Sequence, residues 1–128
     1  MSLRVGTDVL RTGDLERLST RPWFLRAAYC AEEMDYAGSL AGPRRREYLA
    51  GRFAVKEAVS KLLGTGLFAG VRPREIQVLR DPSGEPSVRL AGAALERAAA
   101  AGIDQVTASL THKRDLVFAV AVSLGPGR

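Results

Sequence analysis

The chain is short of several residues and signatures that would narrow its function at once. It holds one cysteine, Cys30, among 128 residues. No internal disulfide is open to it, and a reducing cytoplasm is the expected compartment. One cysteine and one histidine, His112, are too few for a convincing zinc site. No apolar run is long enough to span a bilayer. The start, Met1-Ser2-Leu3-Arg4-Val5-Gly6, lacks the apolar stretch of a secretory signal, so no membrane partner is expected. No Walker A motif, dinucleotide fingerprint or nucleophile elbow occurs. There is no internal repeat and no long low-complexity segment.

Acidic residues are outnumbered, 14 against 19 basic, for a net charge of +5 and an isoelectric point near 10.0. That balance favours acidic or polyanionic partners: nucleic acid, a phosphorylated small molecule or an acidic protein. The densest basic cluster, Arg44-Arg45-Arg46, falls at a predicted helix start, where it opposes the macrodipole. A nearby anion would justify it there. The length fits one domain over 1–128, and 46% hydrophobic residues suffice for a modest core. Oligomerisation is a common way for so small a chain to gain stability.

Element by element, Leu3 to Leu10 reads as a strand with a polar interruption at Gly6-Thr7-Asp8. Thr12 or Asp14 is placed to cap a short helix through Leu18. Pro22 starts a second short helix, and Ala31 a third that ends near Gly38 or Gly42. A long helix is predicted from Arg44 to Leu63, with Tyr48, Leu49, Val55, Val59, Leu62 and Leu63 on its apolar side. Arg52 and Lys56 fall within that apolar arc, so each either snorkels or meets a buried anion. Glu75–Leu79 and Ser87–Leu90 form a hairpin around the turn Asp81-Pro82-Ser83-Gly84-Glu85-Pro86. Ala91–Ala101 is an alanine-rich helix. Gln105–Thr111 and Leu116–Val122 are two more strands, joined by Thr111–Asp115. The tail Gly125–Arg128 is expected to fray. Helices early and strands late indicate an α+β fold.

The chemistry concentrates on the long helix. Glu57 and Lys61 lie four residues apart and share a face. Ala50 and Ala54 fall on the same stripe and are expected to leave room beside them. A glycine-bearing turn, Gly64-Thr65-Gly66, follows. Taken alone, Glu57 and Lys61 also fit a solvated helix pair, and Asp8 a turn residue. Together, Asp8 and Glu57 are two hard oxygen ligands of the kind Mg²⁺ takes, with water and substrate phosphates completing its shell. Ser109-Leu110-Thr111-His112 could offer hydroxyls and an imidazole to a phosphate.

In order and spacing, Gly6-Thr7-Asp8-Val9, the run Gly51 to Lys61, Gly64-Thr65-Gly66 and Ser109 to His112 resemble holo-acyl-carrier-protein synthase, the small trimeric type of 4′-phosphopantetheinyl transferase. Phe24-Leu25-Arg26, Glu32-Glu33 and Gly84-Glu85-Pro86 add to the likeness, which runs from about Val5 to Val122. The resemblance implies an antiparallel sheet packed on a long central helix, assembled as a homotrimer with active sites between subunits. It implies transfer of 4′-phosphopantetheine from coenzyme A to a serine of an apo acyl or peptidyl carrier protein, with release of adenosine 3′,5′-bisphosphate.

By motif, the resemblance assigns Mg²⁺ to Asp8 and Glu57. It makes Glu57, or a metal-bound water, the acceptor of the serine proton, and gives Lys61 the leaving phosphate. Arg45, Arg46, Arg52, Lys61, Gly64, Thr65, Ser109 and His112 fall to the nucleotide end of coenzyme A, with His112 a candidate contribution from a neighbouring subunit. The carrier is acidic, and Arg11, Arg17, Arg21 and Arg26 are candidates to dock it. Arg11 and Thr12-Gly13-Asp14 depart from the family pattern. The pathway, fatty-acid, polyketide or peptide, is not legible, and nucleic acid is not an expected partner on this reading. Two other readings stand beside it: a non-catalytic basic module for an acidic protein or nucleic acid, and a relative that binds coenzyme A but has changed its reaction.

Overall fold

The glycine at position 6 decides how the molecule is put together. In the computed structural model, which describes residues 1–126, β1 (Ser2–Arg11) runs unbroken through Gly6-Thr7-Asp8. Alternation turns Leu3, Val5, Thr7 and Val9 outward and Arg4, Gly6, Asp8 and Leu10 toward the long helix α4 (Gly42–Leu63). A side chain at Gly6 would collide with the Ala58 carbonyl oxygen and come within 2.9 Å of the Leu62 nitrogen. The absent Cβ lets strand and helix backbones touch.

After β1 come α1 (Thr12–Glu16), a 3₁₀ turn at Leu18–Thr20, α2 (Pro22–Ala28) and α3 (Ala31–Gly38). The N-cap of α1 is Arg11, without a side-chain cap. Thr12 lies inside the helix, where its hydroxyl reaches the Asp115 carbonyl at 3.4 Å, so neither predicted cap forms and the helix stops at Glu16. The 22 residues of α4 run about 33 Å. Its start carries Pro43, whose missing N–H costs nothing there. It stops at Gly64, whose left-handed φ of +78° lets its N–H reach the Ser60 and Lys61 carbonyls.

Past a 3₁₀ turn at Pro73–Glu75, β2 (Ile76–Arg80) and β3 (Pro86–Leu90) make the expected hairpin. Asp81 organises its turn by accepting from the Ser83 and Glu85 backbone N–H groups. α5 (Gly92–Ala100) leads to β4 (Thr107–Lys113) and β5 (Leu116–Gly125). The connection between these strands is shorter than predicted, because His112 and Lys113 belong to β4 and Arg114 makes the turn at φ +57°. Gly125 pairs with Ser2 rather than fraying; the predicted frayed tail otherwise falls partly at 127–128, outside the described residues. The larger sheet has the order β1-β5-β4, all antiparallel, and β2-β3 is separate. The larger sheet lies on α4, which gives the expected α+β architecture. Among the described residues no helix is long and apolar enough to cross a membrane.

Lys56 does not snorkel. It is fully buried and paired with the equally buried Glu33 at 2.9 Å. Its ammonium also donates to the Pro73 and Ile76 carbonyls. Glu33 in turn accepts from the backbone N–H groups of Cys30 and Val78. Burial lowers the Lys56 pKa, and the Glu33 carboxylate opposes that shift. One ion pair therefore ties α3, β2 and the 3₁₀ turn at Pro73 to the middle of α4. Ala50 and Ala54 are fully buried in the core, so the expected gap beside Glu57 does not exist. Small residues there permit close packing instead.

Candidate active site

The crossing of β1 over α4 brings Asp8, Glu57 and Lys61 together. Lys61 donates to the Thr7 carbonyl at 2.9 Å and to Asp8 Oδ1 at 3.2 Å. The Asp8 side chain is 16% exposed and that of Lys61 54%. Glu57 is half-buried one turn before Lys61 on α4. Its pKa is raised, first by burial and then by the charge of Asp8, with Lys61 pulling the other way. Asp8 and Glu57 line one groove of about 380 Å³ with Asp14, Leu15 and Phe53. Larger clefts exist elsewhere on the chain, one of about 450 Å³ beside Cys30 and one of about 510 Å³ beside Phe68. Neither is lined by more than one carboxylate.

Asp14 was foreseen only as a cap. Its place in the groove follows from the path of α1 back along α4. The only sequence sign was its position within the atypical Arg11–Asp14 segment.

The predicted nucleotide contacts do not converge within one chain. Arg45 and Arg46 stand in the first turns of α4, and Gly64 and Thr65 follow its last. Those ends are about 30 Å apart at 1.5 Å per residue. Arg46 pairs at 3.4 Å with Glu16. Arg52 is buried, its guanidinium 4.6 Å from the centre of the Tyr48 ring and its Nε without a hydrogen-bond partner among the described residues. The Thr65 hydroxyl donates to the Ala69 carbonyl at 3.0 Å. Arg97 covers the end of α4 by donating to the Leu63 and Gly64 carbonyls, both at 3.0 Å.

His112 and Ser109 sit on opposite faces of β4, as an odd spacing in a pleated strand requires. His112 faces α4, its Nε2 3.2 Å from the Glu47 carbonyl. Gly51 makes room for it, since a Cβ there would lie 3.4 Å from the imidazole. Ser109 points outward in one row with Val120 and Thr7. β5 stands between β1 and β4, and His112 lies two residues along from Leu110, the residue level with Asp8, so Asp8 and His112 are about 12 Å apart across the sheet. They flank α4 instead of meeting.

The crossing thus sets two carboxylates and an ammonium together on an α+β scaffold, a charge arrangement suited to a transferase acting on phosphates. Residues 4–121 match the family described as the 4′-phosphopantetheinyl transferase superfamily. The chain is 37% identical over 118 residues to holo-[acyl-carrier-protein] synthase of Halorhodospira halophila, covering 92% of this chain and 94% of that protein. The crystal structure of holo-[acyl-carrier-protein] synthase from Neisseria meningitidis superposes with a TM-score of 0.83 at 30% identity, covering 94% of this chain and 97% of that one. That of Bacillus anthracis, in complex with CoA (3′,5′-ADP), gives 0.77 at 29% identity over 94% of each chain. The chain belongs to the holo-acyl-carrier-protein synthase family of the 4′-phosphopantetheinyl transferases.

Proposed function

We propose that this chain, as one transferase domain, moves 4′-phosphopantetheine from coenzyme A to a serine of an apo acyl carrier protein and releases adenosine 3′,5′-bisphosphate. Within that family, the observation that carries the reading is the facing pair Asp8 and Glu57, with Lys61 donating to Asp8 beside them.

The pair suits Mg²⁺. Two carboxylates line one groove, and burial, then the charge of Asp8, raises the pKa of Glu57. A divalent cation held by both would relieve that repulsion and leave positions open for phosphate oxygens and water. When bound, it offsets negative charge on the coenzyme A pyrophosphate. Glu57, which lines the groove with Asp8, accepts the proton of the carrier serine. The serine oxygen bonds to the phosphorus that bears the pantetheine arm. The bond from that phosphorus to the oxygen of the adenosine bisphosphate breaks. Lys61 has three N–H donors, two of them engaged with Thr7 and Asp8, so one remains for the leaving phosphate.

Arg45, Arg46, Arg52, Gly64, Thr65, Ser109 and His112 serve the nucleotide end from more than one subunit, which reconciles their spread along α4 and β4. A trimer is supported by the outer face of the larger sheet. Leu3, Val5, Val9, Phe118, Val122 and Leu124 are each 37–70% exposed there. The strand register sets Leu3 beside Leu124, Val5 beside Val122 and Val9 beside Phe118. An apolar face this continuous calls for a cover, and a second copy of the chain supplies one. The acidic carrier docks on exposed Arg17, Arg21 and Arg26, and the cytoplasm is the compartment consistent with a single, buried thiol.

The test is to incubate the protein with an apo carrier, coenzyme A and Mg²⁺ and to weigh the carrier by mass spectrometry. The expected gain is one phosphopantetheine, abolished by EDTA. No gain across several carriers, with coenzyme A still bound, would turn the reading toward a changed reaction.

A further inference from the structure

Two aromatic side chains stand more exposed than folding requires. Trp23 on α2 and Phe68 in the loop after α4 are each 55% exposed. Both line one cleft of about 340 Å³, whose remaining walls include Arg26, Arg72 and Arg74. A second groove, of about 450 Å³, shares Arg26 and Arg74 and is floored by Leu25 and Met34. Among the described residues none of the three arginines makes an ion pair.

The cleft is held rigidly. Phe68 sits at φ +65°, a left-handed conformation that disfavours a bulky side chain. Its loop is kept there by Phe68 N–H donating to the Val71 carbonyl at 2.8 Å and by the Thr65 hydroxyl bond to Ala69. Pro73, between the two arginines, is buried, and its carbonyl accepts from buried Lys56. Such strain is retained where the displayed side chain has a use. A run of packed rings leads from the cleft to the catalytic groove. Trp23 packs edge-on against Phe24 at 5.9 Å, and Phe24 lies 5.6 Å from Phe53, which lines the groove with Glu57.

The geometry points to this cleft as a second contact for the carrier protein, one that takes an apolar side chain of the carrier between Trp23 and Phe68 and its flanking carboxylates on Arg72 and Arg74. This rests on the transferase reading above. Acidic charge on the partner matches unpaired arginines, and desolvated aromatic anchors ringed by charge are the usual centre of a protein interface. The cleft therefore sets which carriers are accepted, beyond the attraction that the α1–α2 arginines exert.

Two variants test it: Phe68→Gly, which removes the ring and relieves the backbone, and the double variant Arg72→Glu/Arg74→Glu. The rate of transfer is measured at varied apo carrier and varied coenzyme A, and the oligomer mass is recorded. Each variant is expected to raise KM for the carrier about tenfold, the effect of losing one strong interface contact. KM for coenzyme A and the oligomer mass stay unchanged. An unchanged carrier KM overturns the proposal. So does a rise in the coenzyme A KM instead, which marks a nucleotide surface, or a fall in oligomer mass, which marks a subunit contact. If the wild-type protein transfers nothing under these conditions, the transferase reading itself fails and takes the cleft with it. An active wild type with indifferent variants removes the cleft alone.

Discussion

Gly6 lies so close to the Ala58 carbonyl that β1 and α4 are in backbone contact at that point. Asp8 is two residues further along the strand and Glu57 one residue back along the helix. The separation of the two carboxylates is thus set by a contact that involves neither. Replacing Gly6 with Ala should push strand from helix. Overpacking of this kind costs about 1–3 kcal/mol, read as a lower midpoint in chemical denaturation. Transfer should fall further than stability does, because the carboxylates separate. Full activity in a folded Gly6→Ala variant would show that the site tolerates the displacement.

Glu57→Gln tests a trade between stability and function. The folded-state pKa of Glu57 is raised above its unfolded value. The stabilising contribution of this group is therefore complete at acid pH and is lost as pH rises through the folded value. At neutral pH the ionised carboxylate is a net cost in the metal-free protein. The variant should abolish transfer and raise Tm in EDTA. Carboxyl NMR titration of the metal-free protein gives the companion result: Asp8→Asn moves the Glu57 midpoint down and Lys61→Met moves it up. Midpoints that move together, or not at all, would separate the three groups.

The buried pair of Lys56 and Glu33 should behave asymmetrically. Lys56→Met leaves a buried carboxylate without its cation and costs about 3–5 kcal/mol. Replacing both residues, with Glu33→Gln beside Lys56→Met, should recover part of that loss, since the amide still accepts from Cys30 or Val78. Urea denaturation of the two single variants and the double closes the cycle. Additive losses would mean that the pair is not coupled.

Arg17→Glu and Arg21→Glu concern docking alone. Both side chains are exposed, so Tm should hold. The apparent KM for the carrier should rise more than that for coenzyme A, and more at low salt than at high. Equal effects on both substrates would place these arginines elsewhere in the reaction.

How much of this was legible in the sequence depends on how local each feature is. Pro43 and Gly64 bracket α4 through their own backbone preferences, and the Asp81 turn is built by its own neighbours, so both were readable. The partner of Lys56 is 23 residues away. The sequence pattern could demand an anion for Lys56 but not choose Glu33. Ala50 and Ala54 looked like a gap because small residues serve close packing and open space alike. The split of Ser109 from His112 depended on β4 continuing to Lys113, which moved His112 from a loop into the pleated strand that already held Ser109. Asp8, Glu57 and Lys61 were found from their motifs. The strand–helix contact that joins them was invisible until Gly6 met Ala58.

The uncovered face of the β1-β5-β4 sheet gives the proposed chemistry a dilution law. Asp8 and His112 lie on different strands beside α4, and on the proposal that His112 serves a neighbouring subunit a lone chain would hold two incomplete half-sites. Specific activity should then fall on dilution below the assembly constant. Mixing two inactive proteins, Asp8→Asn and His112→Ala, should restore part of the rate once subunits exchange, because some interfaces then carry both wild-type halves. A mixture that stays inactive while exchanging subunits would mean that both residues act from the same chain.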